Sequence, residues 1–168
     1  MSLVQRMTYR HAFILESAMS TLIGEACRYR FKESGGPLVG YISEDGAVVI
    51  THAAGPGRKG VRRFFGVTVS GKHAQAFCDD VRRRSGGLLD YVGDWHSHVG
   101  NSVGYSGPDV AAMRKMAAFD HGRMTNPISL ILSRISRRFA VYALKDDGMF
   151  EIVPCSLLGE IPGLGPAP

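Results

Sequence analysis

The sequence predicts a single α/β domain, more closely α+β, with a mostly antiparallel sheet and about three helices. Three observations carry this. Runs such as Ala47–Ala53 (AVVITHA) and Ile128–Ser133 (ISLILS) have the length and β-branched content of strands. They alternate with three longer stretches whose apolar residues recur at helical spacing. Asp-Gly turn signals at Glu44-Asp45-Gly46 and Asp146-Asp147-Gly148 reverse the chain between strands. A length of 168 residues with 45% hydrophobic content is that of one domain with an adequate core.

Taken in order, Thr8 to Leu15 is β-branched and aromatic enough for a first strand. Ser17 then offers an N-cap for a helix over Ala18 to Arg30, with Met19, Leu22, Ile23, Ala26 and Cys27 inward. Leu38 to Ile42 and Ala47 to Ala53 form a hairpin, Gly55 to Gly60 a loop, and Arg62 to Val69 (RRFFGVTV) a further strand. Ser70 caps a second helix that runs to about Arg84, with Ala74, Phe77, Cys78 and Val81 inward, and Gly86-Gly87 stops it. Leu88 to Val92 opens a buried strand. After Asp109 a third helix reaches about Phe119, its methionines belonging to the core. Ile128 to Ser133, Arg138 to Lys145 and Met149 to Val153 complete a meander. Residues 1–158 are read as the domain and 159–168, rich in Gly and Pro, as a mobile tail.

Composition narrows the function. No apolar run reaches bilayer length and the N-terminus lacks a secretory pattern, so the expectation is a cytoplasmic protein with no membrane partner. Cys27, Cys78 and Cys155 are odd in number and far apart, which supports neither a zinc knuckle nor a redox pair, and Cys27 and Cys78 are expected as buried thiols. The net charge of +5 gathers at Arg62-Arg63, Arg82-Arg83-Arg84 and Arg137-Arg138. No aromatic-interleaved basic motif accompanies these clusters, so solvated faces are favoured over nucleic-acid binding.

The chemistry gathers at Gly93-Asp94-Trp95-His96-Ser97-His98 and Ser106-Gly107-Pro108-Asp109. On a strand, residues i and i+2 share a face, so His96 and His98 stand side by side while Ser97 points away. Two imidazoles are two-thirds of a catalytic zinc site, which needs three protein ligands and an open fourth position. Asp109 is the natural third ligand, delivered by a helix start in which Ser106 is the N-cap. Asp94 shares the face of the two histidines and is read either as an acceptor for a ligand imidazole or, more simply, as a solvated carboxylate. His11, Glu16, His52 and His73 are read as ordinary polar residues.

His96-x-His98 followed by Ser106-x-x-Asp109 resembles the signature of the JAMM (MPN+) metalloproteases. Glu33-Ser34-Gly35-Gly36-Pro37-Leu38-Val39-Gly40 resembles the family's Glu-x-x-Gly-x-Leu-x-Gly strand entry, and the likeness runs loosely from Ser17 to Val153. Asp94-Trp95 is similar to the bacterial branch, some of whose members are encoded beside ubiquitin-activating (E1-like) and conjugating (E2-like) enzymes, some in antiphage defence operons. The resemblance implies a cytidine-deaminase-like architecture with a curved sheet, and one catalytic zinc ion held by His96, His98 and Asp109. It implies Glu33 as the group that takes and returns the proton of the attacking water, and Ser106 as an oxyanion donor. It implies a ubiquitin-like protein or its conjugate as substrate, with a sulfur carrier or small peptide as the alternative. Non-catalytic scaffolds in the family generally lack motif residues that this chain has. The chain departs from the pattern at Val99, where members usually carry proline, and it has no insertion between His98 and Asp109, so substrate grip is expected from the core surface and strand edges.

Overall fold

The structure is a computed structural model that describes residues 8–118, 126–145, 148, 150–159 and 165–166. Strand β1 (His11–Leu15) passes directly into α1 (Glu16–Arg28). Then come β2 (Gly35–Ile42), β3 (Ala47–Ala53), the short β4 (Val61–Arg62) and β5 (Val67–Thr68), and α2 (Gly71–Arg84). The site-bearing strand is β6 (Asp90–His98), followed by α3 (Gly107–Ala118), β7 (Ile128–Ser133), β8 (Arg138–Leu144), β9 (Phe150–Val153), β10 (Cys155–Leu158) and β11 (Gly165–Pro166).

Nine strands make one sheet in the order β10-β1-β3-β2-β6-β7-β8-β11, with β9 also paired to β8. Strands β9 and β10 lie toward opposite ends of that order, yet Pro154 alone separates them in the chain. The sheet must therefore curl until its margins meet. The hollow of the curl is filled by Ile14, Met19, Leu22, Trp95, Leu130 and Phe139, each at most 1% exposed. Helix α1 closes this core through Ala18, Met19, Leu22 and Ala26. A second, smaller cluster of Val39, Cys78 and Val81 seats α2.

The curved α/β sheet with three helices is as expected, and the pairing is mixed. Pairs β2–β3, β2–β6, β7–β8 and β8–β9 are antiparallel. Pairs β1–β3, β1–β10, β6–β7 and β8–β11 are parallel. Hairpin signals report strands joined by tight turns, whereas parallel neighbours need long connections that leave no such signal. Helix α3 lies within the connection from β6 to β7.

Other elements differ in detail. Ser17 is inside α1, whose N-cap position falls on Leu15 without a side-chain bond, because the strand enters the helix with no intervening turn. Leu88 stays outside the strand and is 80% exposed. The single strand expected over Arg62–Val69 is a small hairpin, since Gly66 at φ +108° reverses the chain and Arg63 N–H donates to the Gly66 carbonyl at 3.0 Å. Cys27 is exposed, one position past the inward stripe that ends at Ala26, while Cys78 is buried as expected. Arg62 is not a solvated charge but is bound to Glu25. Within the expected tail, Gly165–Pro166 pairs with β8. Phe119, Asp146, Asp147 and Met149 lie outside the described residues.

Two glycine positions bring the site strands together. A Cβ on Gly35 would sit 2.5 Å from the Trp95 carbonyl oxygen, so only glycine lets β2 lie flush against β6 beside His96. Gly93 has φ +156°, and its β2 partner shifts from Leu38 opposite Gly93 to Val39 opposite Tyr91, a bulge that leaves Val92 over. A Cβ there would collide with the Ile128 carbonyl of β7. Gly93→Ala is therefore expected to cost about 2–4 kcal/mol of unfolding free energy. A urea titration should show the midpoint falling at unchanged slope, and a midpoint equal to the parent's would refute this role for Gly93.

Candidate metal centre

Strand β6 sorts its side chains by alternation. Trp95 and Ser97 are 1% and 2% exposed. Trp95 joins the main core and donates its Nε1–H to the Ala54 carbonyl at 2.8 Å. Ser97 locks the strand to the segment that carries Glu33: its N–H donates to the Ser34 carbonyl at 2.7 Å, and its Oγ accepts the Ser34 N–H at 2.9 Å. His96 and His98 are thereby turned to the opposite face.

There the two Nε2 atoms lie 3.1 Å apart. Asp109 reaches them from the first turn of α3, with Oδ1 3.2 Å from His96 Nε2 and Oδ2 3.9 Å from His98 Nε2. A tetrahedral ion with bonds of about 2.0–2.1 Å holds its ligand atoms about 3.3 Å apart, so the three donors already stand at the edges of such a shell. Among the described residues this is the one cluster of three His, Cys, Asp or Glu groups close enough to share a metal ion.

The imidazoles are prepared for that task. His98 Nδ1–H donates to the Ser102 carbonyl at 3.0 Å, which leaves Nε2 as the bare, electron-donating nitrogen. Burial pushes the His96 pKa down to about 4, with His98 adding to the shift and Asp109 opposing it, so the ring is neutral at physiological pH. Asp109 is held by Ser106, whose N–H and Oγ–H donate to Oδ2 at 2.6 and 2.7 Å. This is the reciprocal half of a capping box, with an aspartate at the third helical position reaching back. The Ser106 carbonyl accepts the Val110 N–H at 3.1 Å, so Ser106 does start the helix.

Glu33 is 9% exposed. Its Oε2 accepts the Gly66 N–H at 2.6 Å and its own N–H donates to the Arg63 carbonyl at 2.7 Å. Burial raises its pKa above the ordinary carboxylate value; the Gly66 bond and His98 pull it down, and Asp109 pushes it up. The next residue, Ser34, is bonded to Ser97, so the chain at Glu33 runs beside the strand end that carries the two histidines. The structure thus gathers His96, His98, Asp109 and Ser106 at one end of β6, and ties the residue after Glu33 to the same strand end.

Asp94 is half-buried and accepts the Tyr91 hydroxyl at 3.0 Å instead of a ligand imidazole, and the burial it has lifts its carboxyl to about 6.

Residues that the motif did not reveal hold the loop between His98 and Ser106. Successive carbonyls of that loop are each captured by a side chain: Gly100 by Ser133 Oγ at 2.8 Å, Asn101 by Ser136 Oγ at 3.1 Å, Ser102 by His98, and Val103 by the Tyr142 hydroxyl at 2.9 Å. Tyr105 packs on Tyr142 and Phe150 with ring centres 5.2 and 4.6 Å away. The loop is thus fixed without the proline that Val99 replaces. Their one sequence signal is excess serine near β7, because Ser133, Ser136 and Tyr142 lie more than thirty positions from the carbonyls they bind.

A cluster of His96, His98 and Asp109 that could hold a metal ion, at the end of a buried strand on a curled sheet with three helices, defines an α/β domain with a candidate metal site. Residues 15–144 match the family described as prokaryotic homologs of the JAB domain, and the chain belongs to that family, in the bacterial branch of the JAMM/MPN proteins. It is 28% identical over 121 residues to a probable metalloprotease, y4qB, of Sinorhizobium fredii, covering 71% of this chain and 74% of that protein. Two relatives are named CD-NTase/cGAS isopeptidase. The Escherichia coli protein is 39% identical over 70 residues, 42% of this chain and 44% of its own length. The Enterobacter hormaechei protein is 28% identical over 121 residues, 71% of this chain and 65% of its own length. The fold is shared with the solution structure of protein DSY2949 from Desulfitobacterium hafniense, at TM-score 0.62 and 17% identity over 90% of this chain and 95% of that one.

The Asp94 carboxyl gives a pH-dependent stability. Its folded pKa of about 6 exceeds the unfolded value of about 3.9, so the fold retains a proton that the unfolded chain releases. Stability from this group is complete below pH 4 and is lost as pH rises through 6. Asp94→Asn, which keeps a neutral side chain, should raise Tm of the metal-free protein by a few degrees at pH 8 and leave it unchanged near pH 4. An equal shift at both pH values would exclude the ionisation as its cause.

Proposed function

We propose that this chain is a zinc-dependent isopeptidase or peptidase that cuts after the C-terminal tail of a ubiquitin-like protein. It either frees that protein from a conjugate or processes its precursor, in a bacterial ubiquitination-like pathway of antiphage defence. The observation that carries the reading is the triangle of His96 Nε2, His98 Nε2 and Asp109, together with a buried Glu33 whose carboxyl burial raises above its ordinary pKa. The relatives' names, metalloprotease and isopeptidase, support the same chemistry.

When bound, zinc supplies Lewis acidity that acidifies water and polarises the scissile carbonyl. The protein supplies the remainder. His96, His98 and Asp109 would hold the ion. Glu33 takes a proton from the attacking water; its raised pKa brings it nearer neutrality, where a general base works best. As charge builds on the carbonyl oxygen, the Ser106 hydroxyl turns from Asp109 and donates to it. Glu33 then delivers its proton to the leaving lysine amine. An extended tail adds to an exposed strand edge, and glycines at its end let the backbone approach the centre. E1-like and E2-like enzymes are the partners that would make the conjugate.

The experiment pairs metal analysis with cleavage of a ubiquitin-like protein fused through its tail to a reporter; a CD-NTase conjugate, after the relatives' names, is the second substrate. Glu33→Gln should keep one zinc per chain and lose at least a hundredfold in kcat. His98→Ala and Asp109→Ala should lose zinc together with activity. A chelator should abolish cleavage and added zinc restore it. Parental cleavage by Glu33→Gln would overturn the base assignment, and cleavage indifferent to chelation would overturn the whole reading.

A further inference from the structure

The β4–β5 hairpin touches Glu33 at both ends of the residue, yet it has only two residues in each strand. A hairpin that short does not hold its own shape in water. What fixes it is visible at its first strand. Arg62 Nη2 meets Glu25 Oε2 of α1 at 2.8 Å, and its Nε–H donates to Ser34 Oγ at 3.2 Å. The guanidinium carbon stands 3.9 Å over the centre of the Tyr29 ring. The two charged side chains are 15% and 19% exposed, so water screens this pair far less than a surface pair. Ser34 Oγ–H also donates to Glu25 Oε2 at 3.1 Å, which closes a three-membered polar ring.

We propose that Arg62 is a positioning residue for the general base: it latches the β4–β5 hairpin to α1 and to Ser34, and the hairpin in turn clasps Glu33. The chain of contact is continuous. Arg62 is followed by Arg63, whose carbonyl takes the Glu33 N–H, and the turn ends at Gly66, whose N–H holds the Glu33 carboxylate. Ser34 follows Glu33 and is bonded to Ser97, between the two histidines. One guanidinium therefore ties the base to the strand that carries the metal ligands. Lysine cannot reproduce this, having no planar fork to reach Glu25 and Ser34 while lying flat on Tyr29. The inference rests on the base role proposed for Glu33.

The test uses Arg62→Met, Arg62→Lys and, as a second route to the same ring, Glu25→Gln. Phe64 and Phe65 at the hairpin tip are 50% and 84% exposed and offer chymotrypsin two sites that report hairpin release without any substrate. Arg62→Met and Glu25→Gln should keep the parental zinc content and circular dichroism. Both should be cut at Phe64 or Phe65 at least tenfold faster than the parent in zinc-loaded protein. In the fusion-cleavage assay both should lose at least tenfold in kcat with KM within threefold, and Arg62→Lys should recover part of that loss. Parental kcat in both variants, or a parental cutting rate in both, overturns the latch. Failure of the base assignment shows itself elsewhere, as parental kcat in Glu33→Gln, so the two ideas fall in different variants.

Discussion

The structure depends on the two-residue alternation of β6. A strand cannot send Trp95 and Ser97 inward without sending His96 and His98 outward, and the inward pair is fixed by burial and by bonds to Ala54 and Ser34. A slip of one residue would bury two imidazoles in the core and expose the indole, so register is specified by energetics on the face that does no chemistry. The bulge at Gly93 sets where that alternation begins relative to β2. The chemical face inherits its precision from the apolar one.

Polar side chains supply the rigidity that the backbone alone lacks around the centre. The loop from Val99 to Tyr105 has few apolar anchors, but four of its carbonyls are bonded to side chains from β6, β7, the turn after β7, and β8. Each bond contributes on the order of 1 kcal/mol, and together they restrict a segment whose wandering would move Asp109 away from the histidines. The same device operates on the other side, where Arg62, Glu25 and Ser34 anchor a hairpin too short to be stable alone.

Desolvation acts on the two kinds of titratable group in opposite directions, and both directions serve the site. It disfavours the imidazolium of His96, leaving a ring nitrogen free of protons, and it disfavours the carboxylate of Glu33, making that group more basic than a solvated glutamate. The Asp94 carboxyl experiences the same force without a partner in the cluster, and what it leaves there is a pH-dependent strain on the fold.

The pairing of His96 with His98 on one strand face, the helix start at Ser106, the hairpin at Gly46 and the strands β3 and β7 were legible in the sequence, because each is written in local spacing or turn chemistry. Residues i and i+2 share a strand face whatever the rest of the chain does, and a cap three positions before an acid is local too. Tertiary structure alone decided the parallel pairings, the hairpin fold of Arg62 to Thr68, the exposure of Cys27 and Leu88, the desolvation of Asp94, and the serines and tyrosine that bind the Val99–Tyr105 loop. Those features join segments distant in the chain. Their energies come from which surfaces meet once the sheet has curled, and no short window of sequence contains that information.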